Sequence, residues 1–141
     1  MKVFLDTNIL IDVLEQRVPH FKAAANILDL GANGKIKLYA SALTFVNCIY
    51  IVRKKAGYSK VIESVRLLRD IISVSPMTQT EFDRAMAGMA PDMEDALQYQ
   101  SALSSGCELI ITRNKKHFPQ DGMPVITAEE FFDRSDFQNV L

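Results

Sequence analysis

Val3-Phe4-Leu5-Asp6-Thr7-Asn8-Ile9-Leu10-Ile11-Asp12 stands almost at the start of the chain. Residues 2 to 5 form a compact apolar run with β-branched and aromatic members, which reads as a strand buried on both faces. From Ile9 to Leu14 the apolar residues switch to helical periodicity. Asp6 sits where the period changes, at the strand end where open α/β sheets build their active sites. Two readings fit it there: a cap for the helix that follows, or a functional carboxylate.

The pattern continues outward from that stretch. Phe21 to Leu30 is helical, with Gly31 and Gly34 as its stop. Lys37 to Ala40 reads as a second strand. Ser41 caps a long helix to about Ala56, ended by Gly57, which places Asn47 inside it. Val61, Ile62, Val65, Leu68, Ile71 and Ile72 mark an amphipathic helix with Lys60, Glu63, Arg66 and Arg69 on its solvated face. A very short third strand is expected from Val74. Thr78-Gln79-Thr80-Glu81 is a capping box opening a helix to about Met89, and Asp92 opens another over Met93 to about Ser105. Leu109 to Thr112 reads as a fourth strand and Val125-Ile126 as a short fifth. A second capping box, Thr127-Ala128-Glu129-Glu130, starts a last helix through Arg134. Strands alternating with helices imply an α/β fold of three layers: a central, mostly parallel, twisted sheet of four to five strands with helices on both faces. One domain over residues 1–134 and a loose C-terminal tail, 135–141, are expected.

Composition narrows the class. The chain has 141 residues, enough for one domain with a real core, and 48% hydrophobic against 23% charged residues excludes a disordered or fibrous protein. Sixteen basic against 17 acidic residues leave a net charge of −1, so any contact with nucleic acid must come from local patches. Cys48 and Cys107 are too few for a disulfide framework, and no signal peptide precedes the first strand, so a cytoplasmic protein is expected. The most apolar stretch, Ala40 to Val52, is interrupted by Ser41, Thr44 and Asn47 and falls short of the ~20 residues of a membrane span.

Asp6, together with Asp92 and Asp95 three apart at a helix start, offers the hard oxygen ligands that Mg2+ or Mn2+ prefers. No zinc pattern competes: His20 and His117 lie far apart, and neither cysteine has a partner at finger spacing. A divalent ion held this way suits phosphodiester hydrolysis. Each acid also has a plain structural role open to it. Asp92 is well placed as a cap after Pro91, Asp95 can complement the helix dipole, and Glu94, Asp12 and Asp29 read as surface residues. Thr112, at a strand end, can orient a neighbouring carboxylate or simply occupy a sheet edge.

Four segments in register carry a resemblance: Asp6-Thr7-Asn8 after the first strand, Ser41-Ala42-Leu43-Thr44 at a helix start, Asp92-Met93-Glu94-Asp95-Ala96-Leu97-Gln98, and Leu109-Ile110-Ile111-Thr112-Arg113-Asn114-Lys115-Lys116-His117-Phe118. Together, over nearly the whole chain, they resemble the PIN-domain family, which includes metal-dependent ribonucleases and the VapC-type toxins of toxin–antitoxin pairs. The resemblance implies a PIN-like sheet with an acidic pocket and a Mg2+- or Mn2+-dependent endoribonuclease acting on single-stranded RNA. It assigns Asp6 and Asp95 as metal ligands and Asn8 and Thr112 as pocket support. Two departures stand out. Asn47 occupies the place where many relatives carry a glutamate, and Asn114, with His117 three residues on, stands where relatives often place an acid. An amide oxygen can ligate a cation without supplying charge. Asp92 and Glu94 therefore enter as compensating acids, giving a catalytic set of Asp6, Asp92 and Asp95, metal ligands that add Asn114, and Asn47 and Glu94 in support. A weaker or more Mn2+-dependent site is expected.

For the substrate, Arg113, Lys115 and Lys116 follow the site strand and suit a phosphate backbone, whereas Arg53-Lys54-Lys55 at a helix end suits the helix dipole. The family further suggests a homodimer and a cognate antitoxin protein. Two alternatives differ in class: a catalytically impaired PIN module that binds nucleic acid or protein, and an aspartyl phosphotransferase, which would want a second aspartate where Asn8 stands.

Overall fold

Val3, Phe4 and Leu5 are all fully buried, because β1 (Lys2–Leu5) is the middle strand of a five-stranded sheet. This computed structural model describes residues 1–120 and 122–141. After β1 come α1 (Thr7–Leu14), α2 (Phe21–Ala32), β2 (Lys37–Ser41), α3 (Ala42–Ala56), α4 (Tyr58–Arg69) and β3 (Ile72–Ser75). They are followed by α5 (Gln79–Ala87), α6 (Met93–Ser104), β4 (Leu109–Ile111), β5 (Val125–Ile126) and α7 (Ala128–Asp133).

All four strand pairings are parallel, in the order β3-β2-β1-β4-β5. The chain winds outward from β1 to β2 and β3, then returns to lay β4 against the other side of β1. Val3 sits opposite both Leu38 and Leu109, and Leu5 opposite Ile111. The winding direction therefore reverses between β1 and β4, which opens a crevice beyond their carboxyl ends.

Side-chain alternation sorts the core into two layers. Val3, Leu5, Leu109 and Ile111 face a large cluster built with α1, α2, α3, α4 and α7. Phe4 and Ile110 face the other way, onto Tyr99 and Ala102 of α6 and onto Phe118. The sheet with helices on both faces is the three-layer α/β fold expected from the sequence.

Four local expectations are corrected. β3 begins at Ile72, not Val74, because Ile72 pairs with Leu38 in the ladder although its spacing continues the helical pattern before it. Gly31 does not stop α2. It lies inside the helix, where an added Cβ would fall 2.3 Å from Leu38 Cδ1, so glycine there permits close approach to β2, and Gly34 at φ +70° turns the chain. Asp12 is fully buried rather than a surface residue. Residues Ser135–Val140 form a 3-10 helix instead of a loose tail, and the buried Phe137 ring stacks on Phe131 at 4.9 Å. Among the described residues no helix is long and apolar enough to cross a membrane.

Candidate active site at the carboxyl ends of β1 and β4

Asp6 ends β1 and Thr112 ends β4, so the two adjacent strands deliver them side by side into the crevice. Thr112 Oγ1 donates to Asp6 Oδ2 at 2.7 Å, and Thr112 Oγ1 itself accepts from the Asn114 backbone N–H at 3.0 Å. Asn8 Nδ2 reaches Asp6 Oδ2 and Thr112 Oγ1, each at 3.3 Å, while Asn8 Oδ1 accepts from the Arg113 N–H. Asp6 Oδ1 accepts from the Thr7 N–H at 2.8 Å. Asp6 thus caps α1 with one oxygen, as one sequence reading has it, and its other oxygen takes the bonds from Thr112 and Asn8 at the crevice.

The second acid-bearing element is the start of α6. Asp92 Oδ1 caps the helix by accepting from the Asp95 N–H at 3.0 Å, and Asp95 Oδ2 lies 3.0 Å from His117 Nδ1. Ligand atoms of Asp92, Asp95 and His117 all fall within 4.8 Å of one another. His117 comes from the short 3-10 turn Lys115–His117 that follows β4. In the sequence it was visible only as a group near the place of a missing acid, and the fold turns its ring onto Asp95.

Asn47 and Glu94 also meet, with Asn47 Nδ2 donating to Glu94 Oε1 at 2.9 Å. The Glu94 carboxylate thereby approaches the position on α3 that lacks its own acid. Asn114 is exposed and joins the site through its backbone N–H on Thr112.

Burial first, and neighbouring negative charge second, make these acids hold their protons. Burial pushes the Asp6 carboxyl above its ordinary value, with Asp92 adding to the rise, while the bonds from Thr112 and Thr7 oppose it. Burial, then the charges of Asp6 and Asp92, push Asp95 up to about 6, with His117 pulling the other way. Glu94 is raised by partial burial and by the same two aspartates. A divalent cation would offset the charge of such a set, and two carboxylates with one imidazole nitrogen are donors that can hold one. The residues present therefore fit the metal that this acidic pocket implies.

Behind the acids runs a polar network that the sequence reading missed. Ser41 Oγ donates to Gln98 Oε1 at 2.5 Å, Gln98 Nε2 donates to Thr44 Oγ1 at 2.7 Å, and Thr7 Oγ1 lies within 3.2 Å of Thr44 Oγ1. It ties α6, β2, α3 and the start of α1 together one turn behind Asp95. Gln98 carries no pattern signal, since a buried amide on an apolar helix face looks like a sequence irregularity.

Two of the three basic residues expected to hold phosphate are engaged in ion pairs. The Arg113 guanidinium makes a bidentate pair with buried Asp12, at 2.8 and 3.0 Å, and Lys115 Nζ pairs with Glu130 at 2.6 Å. Lys116 is exposed and forms no ion pair among the described residues.

An acidic crevice at the winding reversal of a three-layer parallel sheet places the molecule among PIN-like α/β proteins. The family profile described as "PIN domain" matches residues 2–116, and the chain belongs to that family. It is 28% identical over 138 residues to Ribonuclease VapC1 of Aquifex aeolicus (strain VF5), covering 94% of each chain. Two solved structures share the fold. A toxin-antitoxin complex from Klebsiella pneumoniae matches with a TM-score of 0.67 at 22% identity, over 89% of this chain and 97% of that one. VapC20 of Mycobacterium tuberculosis, described as a sarcin-ricin loop cleaving toxin, matches with a TM-score of 0.61 at 12% identity, over 84% and 91%.

Proposed function

We propose that this chain is an endoribonuclease that hydrolyses phosphodiester bonds in single-stranded RNA with Mg2+ or Mn2+, as the toxin of a toxin–antitoxin pair. The observation that carries the reading is the cluster of Asp92, Asp95 and His117, whose ligand atoms lie within 4.8 Å of one another, with Asp6 near enough that its charge, after burial, helps push Asp95 up to about 6. The likeness to a ribonuclease over 94% of both chains supports the same chemistry.

In this reading Asp6, Asp92 and Asp95 hold the cation, with His117 Nδ1 as a nitrogen donor and Asn114 as a candidate oxygen donor. A cation held by these residues would supply Lewis-acid polarisation of the phosphoryl group, activation of water and neutralisation of charge on the leaving oxygen. The protein's own residues do the rest. Thr112 and Asn8 fix the Asp6 carboxylate by two bonds to one oxygen, leaving it in one orientation. Glu94, held by Asn47, supplies the negative charge that α3 lacks. Lys116 is left to meet the RNA backbone. The structures of related toxins bound in complexes support a protein antitoxin as partner, and we read the toxin as a cytoplasmic homodimer.

The test is cleavage of defined single-stranded RNAs with Mn2+, comparing the native chain with Asp6→Asn. The amide keeps one acceptor, for the Thr7 N–H, and its NH2 can donate to the Thr112 hydroxyl in place of the lost bond. A thermal melt checks that the fold is retained, while metal-stimulated cleavage falls by at least a hundredfold, on the order of the loss seen when a transition-state contact is removed. Equal cleavage by both proteins would take Asp6 out of the mechanism. A second reading, a PIN module that only binds, draws on Asn47 and Asn114 in place of acids. Absence of Mn2+ and Mg2+ binding in millimolar calorimetric titrations would favour it.

A further inference from the structure

A pocket of about 120 Å³ opens beside the acidic crevice, lined by α5, α6 and the turn after β4. Its walls are mainly carbon: Ala85 and Gly88 from the end of α5, Ala96 and Tyr99 from α6, and Pro119. Two features mark it off from an ordinary surface dimple. His117 lines it while its Nδ1 sits 3.0 Å from Asp95, so pocket and acids share a wall. Arg84, exposed on the last turn of α5 and in no ion pair among the described residues, puts a guanidinium at the same pocket.

Size and chemistry select the occupant. A pocket well below the ~300 Å³ of usual small-molecule sites holds one flat ring system rather than a whole ligand. Apolar walls beside an aromatic ring and an imidazole, with a cation for acceptor atoms, are what a splayed-out nucleobase of single-stranded RNA requires. A phosphate group would gain nothing from the alanine and proline walls. We infer that this pocket takes one unstacked base of the RNA, next to the phosphodiester at the Asp6–Asp95 crevice, and so sets a sequence preference at one nucleotide position. The inference rests on the ribonuclease reading above and locates its substrate.

Gly88 offers a clean probe. Its φ of −86° and ψ of 164° suit any residue, and the nearest atom to an added Cβ is the Ala85 carbonyl oxygen at 3.8 Å, so a Cβ fits there without strain. Gly88→Leu then fills the pocket, Gly88→Ala leaves it largely open, and Arg84→Ala removes the cation from an exposed position. Two measurements are made on each protein: fluorescence anisotropy with short single-stranded RNAs in the absence of metal, and sequencing of the ends released from a randomised RNA pool with Mn2+.

The native chain and Gly88→Ala are expected to cut with a base preference at one position. Gly88→Leu is expected to lose that preference and to bind RNA roughly tenfold more weakly, the scale of one lost base stack. Arg84→Ala is expected to weaken binding with a smaller loss of preference. Unchanged affinity and an unchanged cleavage profile in Gly88→Leu would overturn the base pocket while leaving the ribonuclease intact. A native chain that fails to cleave defeats the ribonuclease reading instead, and the anisotropy comparison still decides the pocket: equal RNA binding, or none, by native and Gly88→Leu proteins rejects it.

Discussion

At the scale of single residues, Asp95 shows how a site can work against its own fold. Its ordinary pKa of 3.8 rises to about 6 in the folded chain, so the folded state binds the proton more tightly than the unfolded one. Without metal, stability contributed by the protonated form is present at low pH and is lost as pH rises from 3.8 through about 6. Above that window the ionised side chain is a standing cost, which a bound cation offsets. Asp95→Asn should therefore stabilise the metal-free protein at pH 7.5 by ~1–3 kcal/mol, and the gain should fade by pH 4. Urea melts in EDTA at the two pH values measure it. The same gain at both would show that the cost of ionising Asp95, from burial and then from Asp6 and Asp92, is not its source. Asp6 was readable from the sequence because a carboxylate at a strand end is a local pattern. The meeting of His117 with Asp95, 22 residues apart, was not, since it depends on how the turn after β4 folds back across the start of α6.

At the scale of elements, periodicity and capping chemistry located every strand and every α-helix, and failed where a residue served a neighbouring element. Ile72 kept the helical spacing yet belongs to the ladder, and Gly31 looked like a helix stop yet is a contact point for Leu38. Arg113 is the case with a functional cost, because a basic residue after the site strand suits phosphate as readily as it suits a buried acid. The fold decides for Asp12, which α1 carries fully out of solvent. The pair fastens α1 to the segment leaving β4, on the two flanks of the crevice. Arg113→Met should leave the Asp12 charge uncompensated and destabilise the chain by ~3–5 kcal/mol. Adding Asp12→Leu to that variant should restore most of the loss, because removing both charges removes the uncompensated one. Chemical denaturation of the single and double variants measures this, and a stable single variant would return Arg113 to the RNA surface.

At the scale of the whole molecule, the sheet order explains why residues from the beginning, middle and end of the chain meet at one crevice, and it explains the role of the last seven residues. The edge strand β5 is only two residues long, so α7 and the segment after it must complete the core beside it. Phe131 is fully buried under Phe137, whose ring lies nearly parallel to it at 11°, and the Arg134 guanidinium covers Phe137 at 5.1 Å while pairing with Asp136. A single phenylalanine in a polar run gives no periodicity, which is why this segment reads as a tail in the sequence. Ending the chain after Arg134 should uncover Phe131 and destabilise the fold by ~1.5–3 kcal/mol, the scale of one fully buried aromatic side chain. Phe137→Ala should reproduce most of that loss in the full-length chain, because the ring makes the contact and the polar residues around it are exposed. Thermal melts of the two variants against the native chain decide the matter. A truncated protein that melts with the native one would mean that α7 closes the core without help from Phe137.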